Sequence, residues 1–155
     1  MRRLILACAL AGVIAMPAFG QGVDPIVGTW KVNLGKSTYN GTFFGGMKSS
    51  IHTYTGEGQI FTNTIEMVDA QGQTSKSIFR HIYDGMPHPT SGSPDYDSSA
   101  YTRVGNTINA VRFRQGKAVE VAQLVIVPGK SITGNAEGIA ANGQPYHYVL
   151  VLDRQ

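Results

Sequence analysis

Cysteine is all but missing from this chain. The single one, Cys8, sits in an apolar leader, so a chain that loses the leader has no thiol for a disulfide, a nucleophile or a metal ligand. Charge is also sparse. Asp, Glu, Lys and Arg make up 15% of 155 residues, with a formal net charge of +3. No dense basic patch exists of the kind that binds nucleic acid electrostatically. Long apolar runs are lacking beyond Leu4 to Ala15, and that run is shorter than the ~20 residues a spanning helix needs. No segment shows the periodicity of an amphipathic helix. No Gly-x-Ser-x-Gly turn is present to expose a serine nucleophile, and Gly92-Ser93-Pro94 does not substitute for one.

What the first twenty residues do contain is a basic start, Arg2-Arg3, then the apolar run, then small residues at Ala18 and Gly20. This is the layout of a secretion signal. It predicts cleavage after Gly20, a single domain over 21–155, and a periplasmic or secreted location. Removing Arg2 and Arg3 from the 13 basic residues leaves 11 against 10 acidic ones. An exported chain with no disulfide must be held by its core.

From Val27 onward, β-branched and aromatic residues alternate with polar ones in short runs that end at glycine-bearing turns. Asn142-Gly143 is the strongest hairpin signal, because both residues tolerate positive φ. The pattern predicts an all-β fold of about nine strands, near 27–34, 48–55, 59–68, 74–83, 98–104, 107–114, 118–127, 131–138 and 145–152. Hairpin connections favour a single up-and-down antiparallel barrel, whose closure removes exposed edges.

Centring hairpins on their turns predicts register. Around Gly116, Arg112 falls opposite Glu120, Val111 opposite Val121 and Phe113 opposite Val119. The charged face is expected outside, so Val111 and Phe113 are expected inside. Around Gln71, Glu66 falls opposite Lys76, while Ile65, Met67, Phe79 and Tyr83 share the other face. A hairpin centred on Glu57 adds Ile51, Thr53 and Phe61 to that inward set.

Two segments interrupt the rhythm. Gly35 to Gly46 carries Tyr39, Phe43 and Phe44, and Gly85 to Asp97 carries three prolines with His88 and Asp95. The first is placed to fold its aromatics over one mouth of the barrel; the alternative is a strap that only seals the core. His81 is expected on the inward face, either as a hydrogen-bonded core residue or as a polar contact orienting a ligand. Asp95 and Asp97 read as turn caps. The histidine spacing defines no metal site, and no cofactor is indicated.

The stretch Val27-Gly28-Thr29-Trp30-Lys31-Val32 resembles the opening of the calycins, the lipocalins and fatty-acid-binding proteins, where Gly-x-Trp starts the first strand of a ligand-holding barrel. The chain is also similar to exported bacterial proteins that open with Asp-Pro-x-x-Gly-Thr-Trp-Lys and carry Gly-Ser-Pro-Asp, here Gly92 to Asp95. The second likeness brings no activity with it. The calycin likeness implies structural roles for Gly28 and Trp30, with Arg154 packed near the indole as a late Arg is in many lipocalins. Fatty-acid-binding proteins place two helices after the first strand, whereas Gly35 to Gly46 is too glycine-rich for that. They also hold a carboxylate with Arg and Tyr near the last strand, where this chain has His147, Tyr148 and Arg154 in a different arrangement.

The sequence reading is an exported barrel that binds a small, mostly apolar ligand. Its candidate ligand-binding residues are Phe43, Phe44, Phe61, Met67, Phe79, His81, Tyr83 and Phe113. The alternative is a non-catalytic envelope or interaction protein with a filled core. An enzyme at the barrel mouth would need His81, His88 or Asp95 to converge with a second polar group.

Overall fold

The structure is a computed structural model that describes residues 23–40 and 46–155. Eleven strands follow in order: β1 (Gly28–Val32), β2 (Thr38–Tyr39), β3 (Ser49–Glu57), β4 (Ile60–Val68), β5 (Thr74–Ile82), β6 (His88–Ser91), β7 (Ser98–Val104), β8 (Thr107–Arg114), β9 (Lys117–Val127), β10 (Ser131–Ile139) and β11 (Pro145–Arg154). No helix occurs among the described residues. All pairings are antiparallel between neighbours, and β1 pairs with both β3 and β11. That double pairing closes a ring of ten strands, and β2 extends the same edge of β11 through Tyr39–Tyr148.

Each of the nine expected strands is present. The correction is to the count. β2 and β6 lie inside the two segments read as loops, and β6 adds the tenth stave. β6 holds each neighbour through only two residue pairs and contains Pro89. So short a strand has no alternation for a sequence pattern to reveal. The signal-like residues 1–20, and Phe43 and Phe44, lie outside the described residues.

One end of the barrel is sealed by apolar and ion-pair packing. Trp30 is fully buried, and its indole N–H donates to the Ile26 carbonyl at 2.8 Å. The Arg154 guanidinium lies 5.0 Å over the indole ring. A Cβ on Gly28, whose φ is +136°, would sit 2.7 Å from that guanidinium. The structure thus brings Gly28, Trp30 and Arg154 into one plug. Beside it, Arg103 forms a forked ion pair with Asp24 at 2.8 and 3.1 Å and covers the Tyr83 ring at 5.4 Å.

Register around the Gln71 turn matches expectation: Glu66 faces Lys76, with an exposed ion pair of 3.3 Å. Two other expectations are corrected. The β3–β4 turn is Gly58-Gln59, so Tyr54 faces Asn63 and Gly56 faces Phe61. Phe61 still points inward, but Ile51 and Thr53 move to the outer face, and His52 and Tyr54 take the inner one. In β8–β9, Arg112 does face Glu120 and Val111 does face Val121. The faces are inverted: Glu120 is buried within the barrel, and Val121 is 49% exposed. A bulge on β9 at Val119 also sets Phe113 opposite Ala118.

Candidate functional site

Inward residues of β7 to β11 stack in rows that run around the wall. The uppermost is Ser99, Arg112, Glu120, Gly138 and Tyr146. The next is Tyr101, Ala110, Ala122, Ala136 and Tyr148. Below it come Ile108, Leu124, Gly134 and Leu150, then Ile126, Ile132 and Leu152. The lower rows pack solidly against Trp30. Ala110 and Ala136 of the second row belong to that same packed core, and Ala122 packs against it. On the opposite wall Ser50 and Ser75 flank Met67, and Ser77 lies beside Ile65. The small serines leave space between this wall and Arg112, Tyr148 and Leu150 opposite.

That space is a cavity of about 260 Å³ toward the unsealed end, bounded by Ile65, Met67, Phe79, Tyr96, Arg112 and Leu150 together with serines and the Gly92 to Asp95 loop. An inner lobe of about 50 Å³ shares His52, Ile65, Arg112, Tyr148 and Leu150 with it and reaches Asn63 and His81. The main cavity is near the lower end of ligand-holding pockets, about 300 Å³.

Arg112 and Glu120 form a buried ion pair, with side-chain exposures of 11% and 0%. The Arg112 guanidinium lies 5.3 Å over Phe79 and 4.9 Å over Tyr96, so two aromatic rings cover the cation. Arg112 Nη1 also donates to the Tyr148 hydroxyl at 3.1 Å, and that hydroxyl donates to Glu120 at 3.3 Å. The Tyr146 hydroxyl donates to the other Glu120 oxygen. Gly138 makes this reach possible: it lies between Glu120 and Tyr146 in the ladder, and a Cβ there would stand 2.7 Å from the Tyr146 hydroxyl. The carboxylate therefore has charged or hydroxyl donors at both oxygens, which offsets the cost of burying it.

Two neutral histidines complete the polar end. Burial, with the nearby Arg112 charge, pulls His52 down to about 3. Burial, then Arg112 and His52, pull His81 down to about 3 as well. His81 stacks on Tyr101 with ring centres 3.9 Å apart. Burial pushes Tyr148 up to about 12, against the opposing pull of Arg112. Among the described residues, Asn63 Oδ1, His81 Nδ1 and Arg112 Nε are buried without a protein hydrogen-bond partner, and all three side chains line the inner lobe.

Of the sequence-predicted site residues, Met67 and Phe79 line the main cavity and His81 lines the inner lobe. Phe61 and Tyr83 point inward, but they pack on each other and under Arg103 at the sealed end. Phe113 is a correction. It neighbours Ser98 on the outer side of the wall, because Arg112 takes the inner side. Asp95 and Asp97 were expected to cap their own turn, but their carboxylates instead accept from the backbone N–H of distant turns, Ala141 at 2.9 Å and Gln115 at 2.7 Å. His88 pairs with Asp84 at 3.0 Å and lines neither lobe of the cavity. No cluster of three metal-ligating side chains occurs among the described residues.

Arg112, His52, Tyr96 and Tyr148 were missed as cavity residues, and Glu120 was missed as the buried partner of Arg112. One signal was available for the inverted face. Asn109 and Gln123 share the side of Val111 and Val121, and they hydrogen-bond each other at 3.0 Å in solvent.

The class these features define is a closed, antiparallel calycin-like barrel, solid at one end and hollow at the other. Among solved structures, the chain is similar to zebrafish ileal bile acid-binding protein complexed with cholic acid, with a TM-score of 0.52 and 12% identity, over 85% of this chain and 100% of that one. At that identity the likeness shows the fold alone. No family model matches the chain, and no curated protein matches it.

Proposed function

We propose that this protein binds a small, mostly apolar molecule inside the barrel, and that it does so after export to the periplasm or the medium. The observation that carries the reading is the cavity itself. Its apolar wall of Ile65, Met67, Phe79 and Leu150 ends at a polar cluster that can orient a guest. The filled core required by the alternative, a purely structural or interaction protein, does not match this interior. The zebrafish neighbour was solved with cholic acid, which is in keeping with the reading. The export half rests on the basic, apolar and small-residue order of residues 1–20. It predicts an intact mass starting at Gln21 for protein recovered from its host.

Affinity follows from burial. Each CH₂ taken from water contributes about 0.8 kcal/mol. Eight give roughly 6 kcal/mol, less at least about 4 kcal/mol for association. Burial of such a chain alone therefore gives a net of at most about 2 kcal/mol, a dissociation constant of tens of millimolar, tightening about fourfold per added CH₂ until the space is full. The test is titration with 1-aminonaphthalene, a neutral fluorophore. Saturable 1:1 uptake is expected in the wild type, with loss in a folded Met67→Trp variant that fills the cavity. Absence of saturable uptake by the wild type, or full uptake by Met67→Trp, defeats the reading.

A further inference from the structure

Resting on that reading, we infer that the cavity selects ligands with an uncharged hydrogen-bonding head, an alcohol or primary amide, and rejects carboxylates of the same chain length. The geometry around Arg112 carries the inference. Arg112 is the one cation lining the cavity or its inner lobe among the described residues. Its charge is already matched by Glu120, which is completely buried at its side. The Tyr148 hydroxyl bridges the two, and Phe79 and Tyr96 cover the guanidinium faces. Arg112 Nε is buried without a hydrogen-bond partner, but an arriving carboxylate that accepts from it would still have to share with Glu120 a charge already matched. Failing that, it would be a second buried anion with no cation of its own, a costly state.

The remaining polar groups point the same way. His52 and His81 are neutral at ordinary pH and supply no second positive charge. Among the described residues, the only other charged side chain on the cavity wall is Asp95, held in place by the Ala141 N–H. A neutral head meets no such conflict. Asn63 Oδ1 can only accept a hydrogen bond, and it has no protein donor. A hydroxyl or amide N–H can donate to it, whereas a carboxylate cannot. The main cavity takes roughly nine groups of water size at about 30 Å³ each, which suits an eight-carbon chain with its head.

The experiment is an NMR-detected titration of the wild-type protein with octan-1-ol, octanamide and octanoate at pH 7.5, repeated with octan-1-ol and octanoic acid at pH 4. At pH 4 the acid is mostly protonated, while both histidines, at about 3, remain mostly neutral. The alcohol and amide are expected to bind at least tenfold more tightly than octanoate at pH 7.5, and the gap between acid and alcohol should shrink below threefold at pH 4. Octanoate binding as well as octanol at pH 7.5 overturns the selectivity and leaves binding itself standing. Failure of all three ligands overturns both readings together. Glu120→Gln frees the Arg112 charge, so in the folded variant octanoate should gain at least tenfold; no gain counts against the inference. Should that variant not fold, the wild-type series decides alone.

Discussion

At the scale of single residues, the Arg112–Glu120 pair dominates. Two opposite charges taken out of water gain little over a well-packed apolar pair, but either one alone is expensive. Arg112→Met should therefore lower the free energy of unfolding by about 3–5 kcal/mol. Arg112→Met combined with Glu120→Leu should recover most of that loss, as read by urea denaturation. A double variant no more stable than the single one would mean that the pair is solvated rather than buried. The histidines add a pH dependence. His52 and His81 titrate at about 3 when folded, against about 6.5 when unfolded. The unfolded chain then binds more protons between those values. Their contribution is complete above pH 6.5 and is lost as pH falls toward 3. His81→Phe, which keeps the stack on Tyr101, should flatten the stability–pH slope between about pH 5.5 and 4 by roughly 1.4 kcal/mol per unit. An unchanged slope in urea midpoints across that range would contradict a buried neutral His81.

Single elements are shaped by where glycine and small residues let the chain approach itself. Gly138 in β10 is the clearest case, because Tyr146 in β11 leans across it to reach Glu120 in β9. A Cβ there would be 2.6 Å from the Val119 carbonyl and 2.7 Å from the Tyr146 hydroxyl. Gly138→Ala is expected to cost about 1–3 kcal/mol by overpacking and to move the Tyr146 ring signals in NMR spectra. A stable variant with unmoved Tyr146 would refute the close approach. The same scale shows where sequence reasoning lost its footing. Turns rich in glycine leave hairpin register open, and Gly56-Glu57-Gly58 offered two choices. The structure uses Gly58, at φ +62°, and so turns Tyr54 and His52 inward. In β8 and β9 the pairing of Arg112 with Glu120 was legible because opposite charges prefer to face each other. Their direction was not, because polar residues are ordinarily solvated. Here Val121 is outside and the ion pair inside.

Across the whole molecule, hydrophobic alternation and turn chemistry sufficed for the barrel, since every strand longer than four residues was visible in them. The cavity was legible only in part. Met67, Phe79 and His81 were found because Glu66 facing Lys76 marks the outer face of β4 and β5 and so fixes their register. The far wall was missed because its cavity-lining Arg112 pairs with Glu120, and a charged pair reads as a solvated face. The two ends of the barrel differ in their inner side chains. Trp30, Ile108, Ile126 and Ile132 fill one end, while Ser50, Ser75 and Ser77 line the hollow at the other. The central claim is that a small apolar guest enters this hollow end. Methyl-resolved NMR during titration with octan-1-ol tests it most directly. The account predicts saturable shifts in the Ile65, Met67 and Leu150 methyl groups, with Val121, Val125 and Val127 on the outer face unmoved. Shifts confined to those outer valines, or none at all at saturating octanol, would contradict it.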